Sequence, residues 1–242
     1  MTQPFVSIII PARNEAKRLP LTLVDIDRYL ARAGYSAEVI VVDDGSTDAT
    51  PEIVGRFSHL MPNMRGIGGR ENHGKGWAVR QGMLAGRGHL RLFMDADNAA
   101  SLDHFDLAVP LFKNGVDIAI GSRTMPGAKL DPPQPMWKRA FGKAGNLMIQ
   151  ATVAPGIWDT QCGFKVFTGE AAERVFGLAK LNGWGFDAEI IALARATGFD
   201  IKEFPIHWVG GSTSNVHVAD YLSALTDVLR TKWRLSKGGY NI

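Results

Sequence analysis

The sequence predicts an α/β domain built on a mostly parallel, twisted sheet with helices on both faces. Two observations predict it: apolar, β-branched runs alternate with segments of helical periodicity, and proline or acidic residues end three of these runs. Strands separated by helices of this length are joined by right-handed crossovers, which make them parallel. Such sheets carry their functional residues at the carboxyl ends of their strands.

The elements of the first half follow from β-branched composition for strands and from i, i+3, i+4 apolar spacing for helices. In chain order they are a strand over 5–11, a helix carrying Leu19, Leu23, Ile26 and Leu30, a strand over 37–44, helices over 50–57 and 76–85, a strand over 89–95, a helix over 103–112 and a strand over 116–122.

The second half is less regular, and its last strand is predicted at a sheet edge because Pro205 cannot donate to a ladder. Its predicted elements are a Pro-rich loop over 126–135, a helix over 136–152, a strand over 162–169, helices over 170–179 and 187–197, the edge strand over 201–209 and a closing basic helix. No linker or repeat divides the chain. We predict one domain over 1–242.

Composition excludes several classes of protein. The net charge of +3 is too small to indicate nucleic-acid binding. A single cysteine, Cys162, excludes an internal disulfide and any multi-cysteine metal site. No run approaches the roughly 18 apolar residues of a membrane-spanning helix, and the N-terminus lacks the pattern of a secretion signal. These features favour a soluble protein of the cytoplasm.

Positive charge is concentrated in two segments that also carry tryptophan. Residues 123–147 contain five basic residues and one acid, together with Trp137, and residues 230–242 contain four basic residues and no acid, together with Trp233. Basic residues beside interfacial aromatics suit an anionic lipid surface or a phosphate-bearing ligand. A solvated basic helix face is the alternative.

Two carboxylates, Asp95 and Asp97, follow the strand-like run at 89–94. In an extended segment, residues i and i+2 point to the same side, so these two can share one hard cation. Mg²⁺ or Mn²⁺ held by only two carboxylates takes its other ligands from a diphosphate and water. The pair therefore predicts a nucleotide with at least two phosphates. The histidines show no H-x-x-x-H spacing, which disfavours zinc.

Other catalytic motifs are absent. The first strand is followed by "PARNEAKR" rather than the G-x-G-x-x-G of a dinucleotide site. "GRENHGKG" (69–76) matches a P-loop except that Gly76 replaces the hydroxyl residue, and we interpret it as a turn followed by a helix. No G-x-S-x-G elbow is present, and Cys162 lies in an apolar run that predicts an inert buried thiol.

With these residues in place, the chain resembles the family-2 glycosyltransferases of GT-A (nucleotide-diphospho-sugar transferase) fold, and more narrowly the dolichyl-phosphate glucosyltransferases. The resemblance covers nearly the whole chain. It is carried by "VSIIIPARNE" (6–15), "VIVVDDGSTD" (39–48), "GKGWAVRQGM" (74–83), "MDAD" (94–97), "GSR" (121–123), "DTQCGFKVF" (159–167) and "WGFDAEII" (184–191).

The resemblance implies a site that joins a nucleotide-sugar-binding half (1–122) to an acceptor-binding half (123–242) with basic, membrane-facing helices. For Asp187 and Glu189, a structural salt bridge is as good an interpretation as a role in the sugar pocket. The implied site residues are Pro11, Ala12, Glu15 and Asp44 for the base and ribose, Lys75 for the diphosphate, Asp95 and Asp97 for Mg²⁺ or Mn²⁺, Arg123, Arg139 and Lys143 for the acceptor phosphate, and Asp159, Gln161, Lys165, Asp187 and Glu189 for the sugar pocket and its surroundings.

The implied activity is inverting transfer of a hexose, glucose from UDP-glucose first, to a dolichyl or polyprenyl phosphate. Such an acceptor is already an anion at neutral pH and requires no catalytic base. The alternatives are a GDP-mannose-dependent polyprenyl-phosphate mannosyltransferase, transfer to a sugar or protein hydroxyl, a P-loop nucleotidase, and a non-catalytic nucleotide-sugar-binding scaffold.

The resemblance also implies that the protein lies peripherally on the cytoplasmic face of a membrane, alone or through a membrane-protein partner. The chain departs from the family at Thr213, where members often carry the lysine of a Gly-Ser-Lys sequence. We expect His217 or Lys75 to supply the missing cation.

Overall fold

The computed structural model describes residues 3–132, 146–147, 149–210 and 218–242, without the side chains of 218–222, 224 and 225. Nine strands lie within these ranges: β1 (Val6–Ala12), β2 (Ala37–Asp44), β3 (Met64–Gly69), β4 (Leu90–Met94), β5 (Ile118–Ser122), β6 (Lys129–Asp131), β7 (Phe164–Thr168), β8 (Ile201–Pro205) and β9 (His207–Val209). The named helices there are α1 (Leu19–Ala33), α2 (Thr50–Leu60), α3 (Lys75–Ala85), α4 (Phe105–Lys113), α5 (Gly169–Leu178), α6 (Phe186–Ala196) and α7 (Val218–Ser236).

Seven of these strands form one sheet in the order β3-β2-β1-β4-β7-β5-β8. Every neighbouring pair is parallel except the two that involve β7, which lies antiparallel between β4 and β5. The prediction of a mostly parallel sheet is therefore confirmed. A second, two-stranded parallel sheet joins β6 to β9. Because β7 and β8 come from the second half of the chain, both halves build the main sheet.

Helices cover both faces of this sheet, because its central strands are buried on both sides and read as continuous apolar runs. In β1, Ile9 faces the core formed with α3, α5 and α6, whereas Ile8 and Ile10 face the core formed with α1, α2 and α4. All three isoleucines are fully buried. The prediction that helices lie on both faces of the sheet is confirmed.

Within the described residues, the sequence-based elements differ from the structure in more than their exact bounds at four places. Strand β3 was not predicted, and β6 lies inside the segment predicted as a loop. The predicted edge strand divides into β8, which does lie at the sheet edge, and β9. Cys162 precedes β7 rather than lying within it, although its thiol is buried as expected. Most of the helix predicted over 136–152 lies outside the described residues.

Helix α3 approaches the sheet closely at Gly82. A Cβ atom there would lie 2.3 Å from Cγ2 of Ile9 and 3.0 Å from Cγ2 of Val42. We expect Gly82→Ala to lower the free energy of unfolding by about 2 kcal/mol, because overpacking a filled core forces side chains out of their rotamers. Urea denaturation measures this change.

Gly177 provides the matched control, since it also lies in a helix but has no atom within 4 Å of its Cβ position. Gly177→Ala is expected to stabilise the protein by up to about 1 kcal/mol through helix propensity. Equal effects of the two substitutions would contradict the close approach of α3.

Candidate active site

The loops that follow β1 and β2 are joined to each other at the carboxyl edge of the sheet. Asn14, whose φ of 56° is left-handed, accepts a hydrogen bond from the backbone N of Thr47 at 2.8 Å. The backbone N of Glu15 donates to Oγ1 of Thr50 at 2.9 Å, and that of Ala16 donates to Asp48 at 3.1 Å. The segment 47–50, which leads into the first turn of α2, therefore fixes the loop that carries Glu15.

The carboxylates of Asp95 and Asp97 lie in the turn after β4. The backbone N of Asp95 donates to O of Gly163 at 3.1 Å, and Oδ1 of Asp97 accepts from the backbone N of Ala99 at 3.1 Å. Asn98 closes the turn with a φ of 54°, a conformation that asparagine tolerates. The two carboxylate side chains are 36% and 33% exposed, so a ligand can reach both.

Two cations of the chain compensate these carboxylates. Nζ of Lys75 lies 2.7 Å from Oδ1 of Asp95, and Nη1 of Arg18 lies 3.7 Å from Oδ2 of Asp97. Burial works against the charge of Lys75, but the neighbouring carboxylates, Asp95 first, raise its pKa above the ordinary value. Each of the two acids therefore has one cationic partner.

Arg18 was not predicted as a site residue. Its Nε donates to Oε2 of Glu15 at 2.6 Å, so one guanidinium joins Glu15 to Asp97. Burial raises the pKa of the Glu15 carboxyl even though Arg18 opposes that rise. The i, i+3 spacing of Glu15 and Arg18 was a visible signal of their pairing, whereas the contact with Asp97 depends on β1 and β4 being neighbours.

Asp44 is buried at the end of β2 and holds the loop before α3. Its two carboxylate oxygens accept hydrogen bonds from the backbone N atoms of His73 and Gly74, at 2.7 and 2.8 Å. Gly74 has a φ of 105°, and a Cβ there would lie 2.4 Å from O of Asn182. Close packing therefore explains the glycine, and the loop delivers Lys75 to the first position of α3.

The other residues predicted for the donor lie around the same edge or near it. Pro11 and Ala12 are buried at the end of β1. Gln161 is exposed in the segment before β7. Arg139 and Lys143, predicted for the acceptor phosphate, lie outside the described residues.

Arg123, predicted for an acceptor phosphate, follows β5 and forms a two-point ion pair with Asp159. Its Nε and Nη2 lie 2.8 Å from the two carboxylate oxygens, and its backbone N donates to Oδ2 at 2.9 Å. The backbone N of Asp159 in turn donates to Glu203 of β8. Burial raises the pKa of Asp159, but Arg123 outweighs it and holds that pKa below its usual value.

Lys165, Asp187 and Glu189 are buried, so none of them is placed to touch a bound ligand. Lys165 pairs with Asp187. Glu189 accepts hydrogen bonds from the backbone N of Leu181 at 2.8 Å and from the hydroxyl of Tyr240 at 2.6 Å. Nη1 of Arg234 also lies 4.0 Å from Oε1 of Glu189. The salt-bridge interpretation is therefore correct for both Asp187 and Glu189.

The donor set fits a divalent ion that is shared with a ligand. Within the described ranges, no group of three or more His, Cys, Asp or Glu side chains could hold a metal alone. Asp95 and Asp97 would supply two hard oxygen ligands, and an ion bound there would complete its coordination with phosphate oxygens and water. Gly163 keeps the space beside Asp95 free, because a Cβ there would lie 2.0 Å from Oδ2.

In the part of the chain that the structure describes, no helix combines the length and the apolar character needed to cross a bilayer.

Comparison with known families and proteins gives consistent matches. Residues 7–176 match the family model described as glycosyl transferase family 2. The chain is 32% identical over 251 residues to the dolichyl-phosphate beta-glucosyltransferase of Dictyostelium discoideum, with 98% of this chain and 77% of that protein covered.

Solved structures of lower identity have similar folds. A mannosyltransferase from Pyrobaculum calidifontis in complex with GDP-Man and Mn²⁺ gives a TM-score of 0.66 at 21% identity, over 96% of this chain and 65% of the other. Glucosyl-3-phosphoglycerate synthase from Mycobacterium tuberculosis, in complex with Mn²⁺, UDP and phosphoglyceric acid, gives 0.66 at 18% identity, over 94% and 78%.

Proposed function

This chain belongs to glycosyl transferase family 2 and has the GT-A fold, and from that premise we propose that it transfers glucose from UDP-glucose to a dolichyl or related polyprenyl phosphate. One observation carries the proposal: the accessible carboxylates Asp95 and Asp97 lie at the carboxyl edge of the sheet beside the ammonium of Lys75. That arrangement suits a metal-bound nucleoside diphosphate and the negative charge that develops on the diphosphate as it departs.

On the donor side, Asp95 and Asp97 would hold Mg²⁺ or Mn²⁺. The ion would act as a Lewis acid for the departing diphosphate. Lys75 binds a phosphate oxygen from the first turn of α3, where the helix N-terminus also favours negative charge. Glu15 and the backbone at Pro11 and Ala12 hold the base and ribose. Asp44 contributes by fixing the loop that precedes Lys75.

On the acceptor side, the nucleophile is a phosphate oxygen rather than a hydroxyl. A phosphate monoester has a second pKa of about 6 and is an anion at neutral pH, so no side chain has to remove a proton. Arg123, held by Asp159, positions that anion, and we assign Arg139 and Lys143 the same task. In-line attack at the anomeric carbon then gives a β-linked lipid-phosphate sugar from an α-linked donor.

Transfer of radiolabelled sugar to polyprenyl phosphate in the presence of Mn²⁺ tests the proposal. UDP-glucose is expected to give a lipid-linked product, and EDTA is expected to abolish it. Product from GDP-mannose alone would identify a polyprenyl-phosphate mannosyltransferase instead. Metal-dependent nucleotide binding without a lipid-linked product from any common sugar nucleotide would identify a binding scaffold.

We also propose that α7 docks on an anionic membrane surface, peripherally and on the cytoplasmic face. Leu229 and Trp233 are spaced i, i+4 on this helix and are 55% and 63% exposed. Basic side chains flank them, with Arg230, Lys232 and Lys237 all exposed. An apolar pair with a cationic border suits the interface of a bilayer that contains anionic lipids.

Vesicle sedimentation checks the docking surface. We expect binding to vesicles of mixed phosphatidylcholine and phosphatidylserine at low salt, weaker binding as salt rises, and loss of binding in Leu229→Ser/Trp233→Ser. Leu60→Ser is the matched control, because Leu60 is 74% exposed but ends α2. Equal loss in both variants would contradict a specific role for α7.

A further inference from the structure

Lys165 and Asp187 form an ion pair that solvent does not reach. Lys165 has no exposed surface, and the Asp187 side chain is 5% exposed. Nζ of Lys165 also donates to O of Cys162 at 2.6 Å and lies 5.1 Å from the ring centroid of Phe93. The ammonium therefore has two oxygen partners, one on α6 and one on the backbone before β7.

A buried ion pair is weak evidence for a role in stability. The cost of removing two charges from water roughly offsets their attraction, and apolar residues of similar volume often serve a core equally well. Lys165 lies in β7 between apolar neighbours, at a position that an aliphatic side chain could fill. Stability alone therefore does not explain why residue 165 is charged, and the neighbouring site suggests another role.

The backbone that receives the Lys165 hydrogen bond also holds the candidate metal ligand. Residue 163 directly follows Cys162, and O of Gly163 accepts the 3.1 Å hydrogen bond from the backbone N of Asp95. Gly163 also packs against the Asp95 carboxylate, since its Cβ position lies 2.3 Å from Cγ of that group. Any movement of the 162–163 peptide would therefore either displace Asp95 or bring Gly163 into collision with its carboxylate.

We propose that the Lys165–Asp187 pair positions Asp95 by clamping the 162–163 backbone against the turn after β4. Asp187 fixes the ammonium, the ammonium fixes the carbonyl of Cys162, and Gly163 sets the orientation of the carboxylate. The proposal rests on the proposed function, in which Asp95 binds the divalent ion. Lys165 and Asp187 are positioning residues because neither touches the ion or the substrate.

The test replaces both charges at once, with Lys165→Met/Asp187→Leu, so that no unpaired charge remains in the core. We expect the thermal midpoint to stay close to that of the unaltered protein, and the Mn²⁺-dependent affinity for UDP, measured by calorimetry, to fall about tenfold, as for other groups that orient metal ligands. Unchanged UDP affinity in the double variant would overturn the proposal.

Glu189→Gln is the matched control. It alters a buried carboxylate of the same helix, two residues from Asp187, but its contacts are with Leu181, Lys180, Tyr240 and Arg234. We expect it to lower the thermal midpoint and to leave Mn²⁺-dependent UDP affinity unchanged. A similar loss of affinity in this variant would assign the effect to general loosening of α6 and overturn the clamp.

Asp187→Asn keeps the test available if the double variant is insoluble. It preserves shape and leaves the Lys165 hydrogen bond to Cys162, so we expect Mn²⁺-dependent UDP affinity to fall measurably but by less than about tenfold. Unchanged affinity would overturn the clamp. Absence of Mn²⁺-dependent UDP binding in the unaltered protein would instead refute the proposed function. The two failures are therefore distinguishable.

Discussion

Asp97→Asn is expected to lower Mn²⁺-dependent binding of UDP by about 100-fold, the upper end of the range for groups around a metal, and to stop sugar transfer. The amide has nearly the shape of the carboxylate but lacks its charge, and a hard divalent ion prefers charged oxygen ligands. The hydrogen bond from the backbone N of Ala99 can remain, because an amide oxygen also accepts it. Calorimetric titration of UDP, with Mn²⁺ and with EDTA, separates loss of the ion from loss of the turn.

Asp27→Asn is the control for net charge, since Asp27 is exposed on α1. It is expected to bind UDP and Mn²⁺ like the unaltered protein. Unchanged affinity in Asp97→Asn would remove the ion from the donor site. If UDP affinity in EDTA also fell in that variant, the substitution would have disturbed the turn itself.

The fold was predictable where burial leaves a strong sequence pattern. Strand β2 was predicted with its observed bounds, because a continuous apolar run ends at two acids. Strand β3 was missed because three of its six residues are glycine and half of the strand is exposed at the sheet edge, so neither β propensity nor alternation marks it. Its pairing with β2 is set by tertiary structure.

The candidate site was predictable where its residues are neighbours in sequence. Asp95 and Asp97 stand one residue apart, so their proximity follows from the sequence alone, and the structure has both in the turn after β4. Arg18 meets Asp97 only because β1 and β4 are adjacent in the sheet, and local spacing does not reveal strand order. The same reason hides the pairing of Lys165 with Asp187, because the two residues lie on β7 and α6, which are not neighbours in sequence.

Asp159→Asn is expected to lower the free energy of unfolding at pH 7 by about 3 kcal/mol, because removal of one partner leaves the other charge of a largely buried pair uncompensated. Asp159 is 6% exposed and the Arg123 side chain is 25% exposed. The guanidinium would lose both of its contacts at 2.8 Å with a charged acceptor. Urea denaturation of the two proteins measures the difference.

The pH dependence of that difference identifies its electrostatic origin. Burial raises the pKa of Asp159, but Arg123 outweighs burial and holds the pKa below its ordinary value. A carboxyl with a lowered pKa stabilises the fold fully above the unfolded value of about 3.9 and loses that contribution as pH falls toward the folded value. The gap between Asp159→Asn and the unaltered protein should therefore narrow below about pH 4.

Asp103→Asn supplies the comparison for this last measurement. Asp103 also has a lowered pKa, chiefly through its hydrogen bond from Arg32, but both side chains of that pair are mostly exposed. Solvent screens such a pair, so its loss should change stability little at any pH. A gap for Asp159→Asn that stayed constant from pH 7 to pH 3 would show that its carboxylate acts by packing rather than by charge.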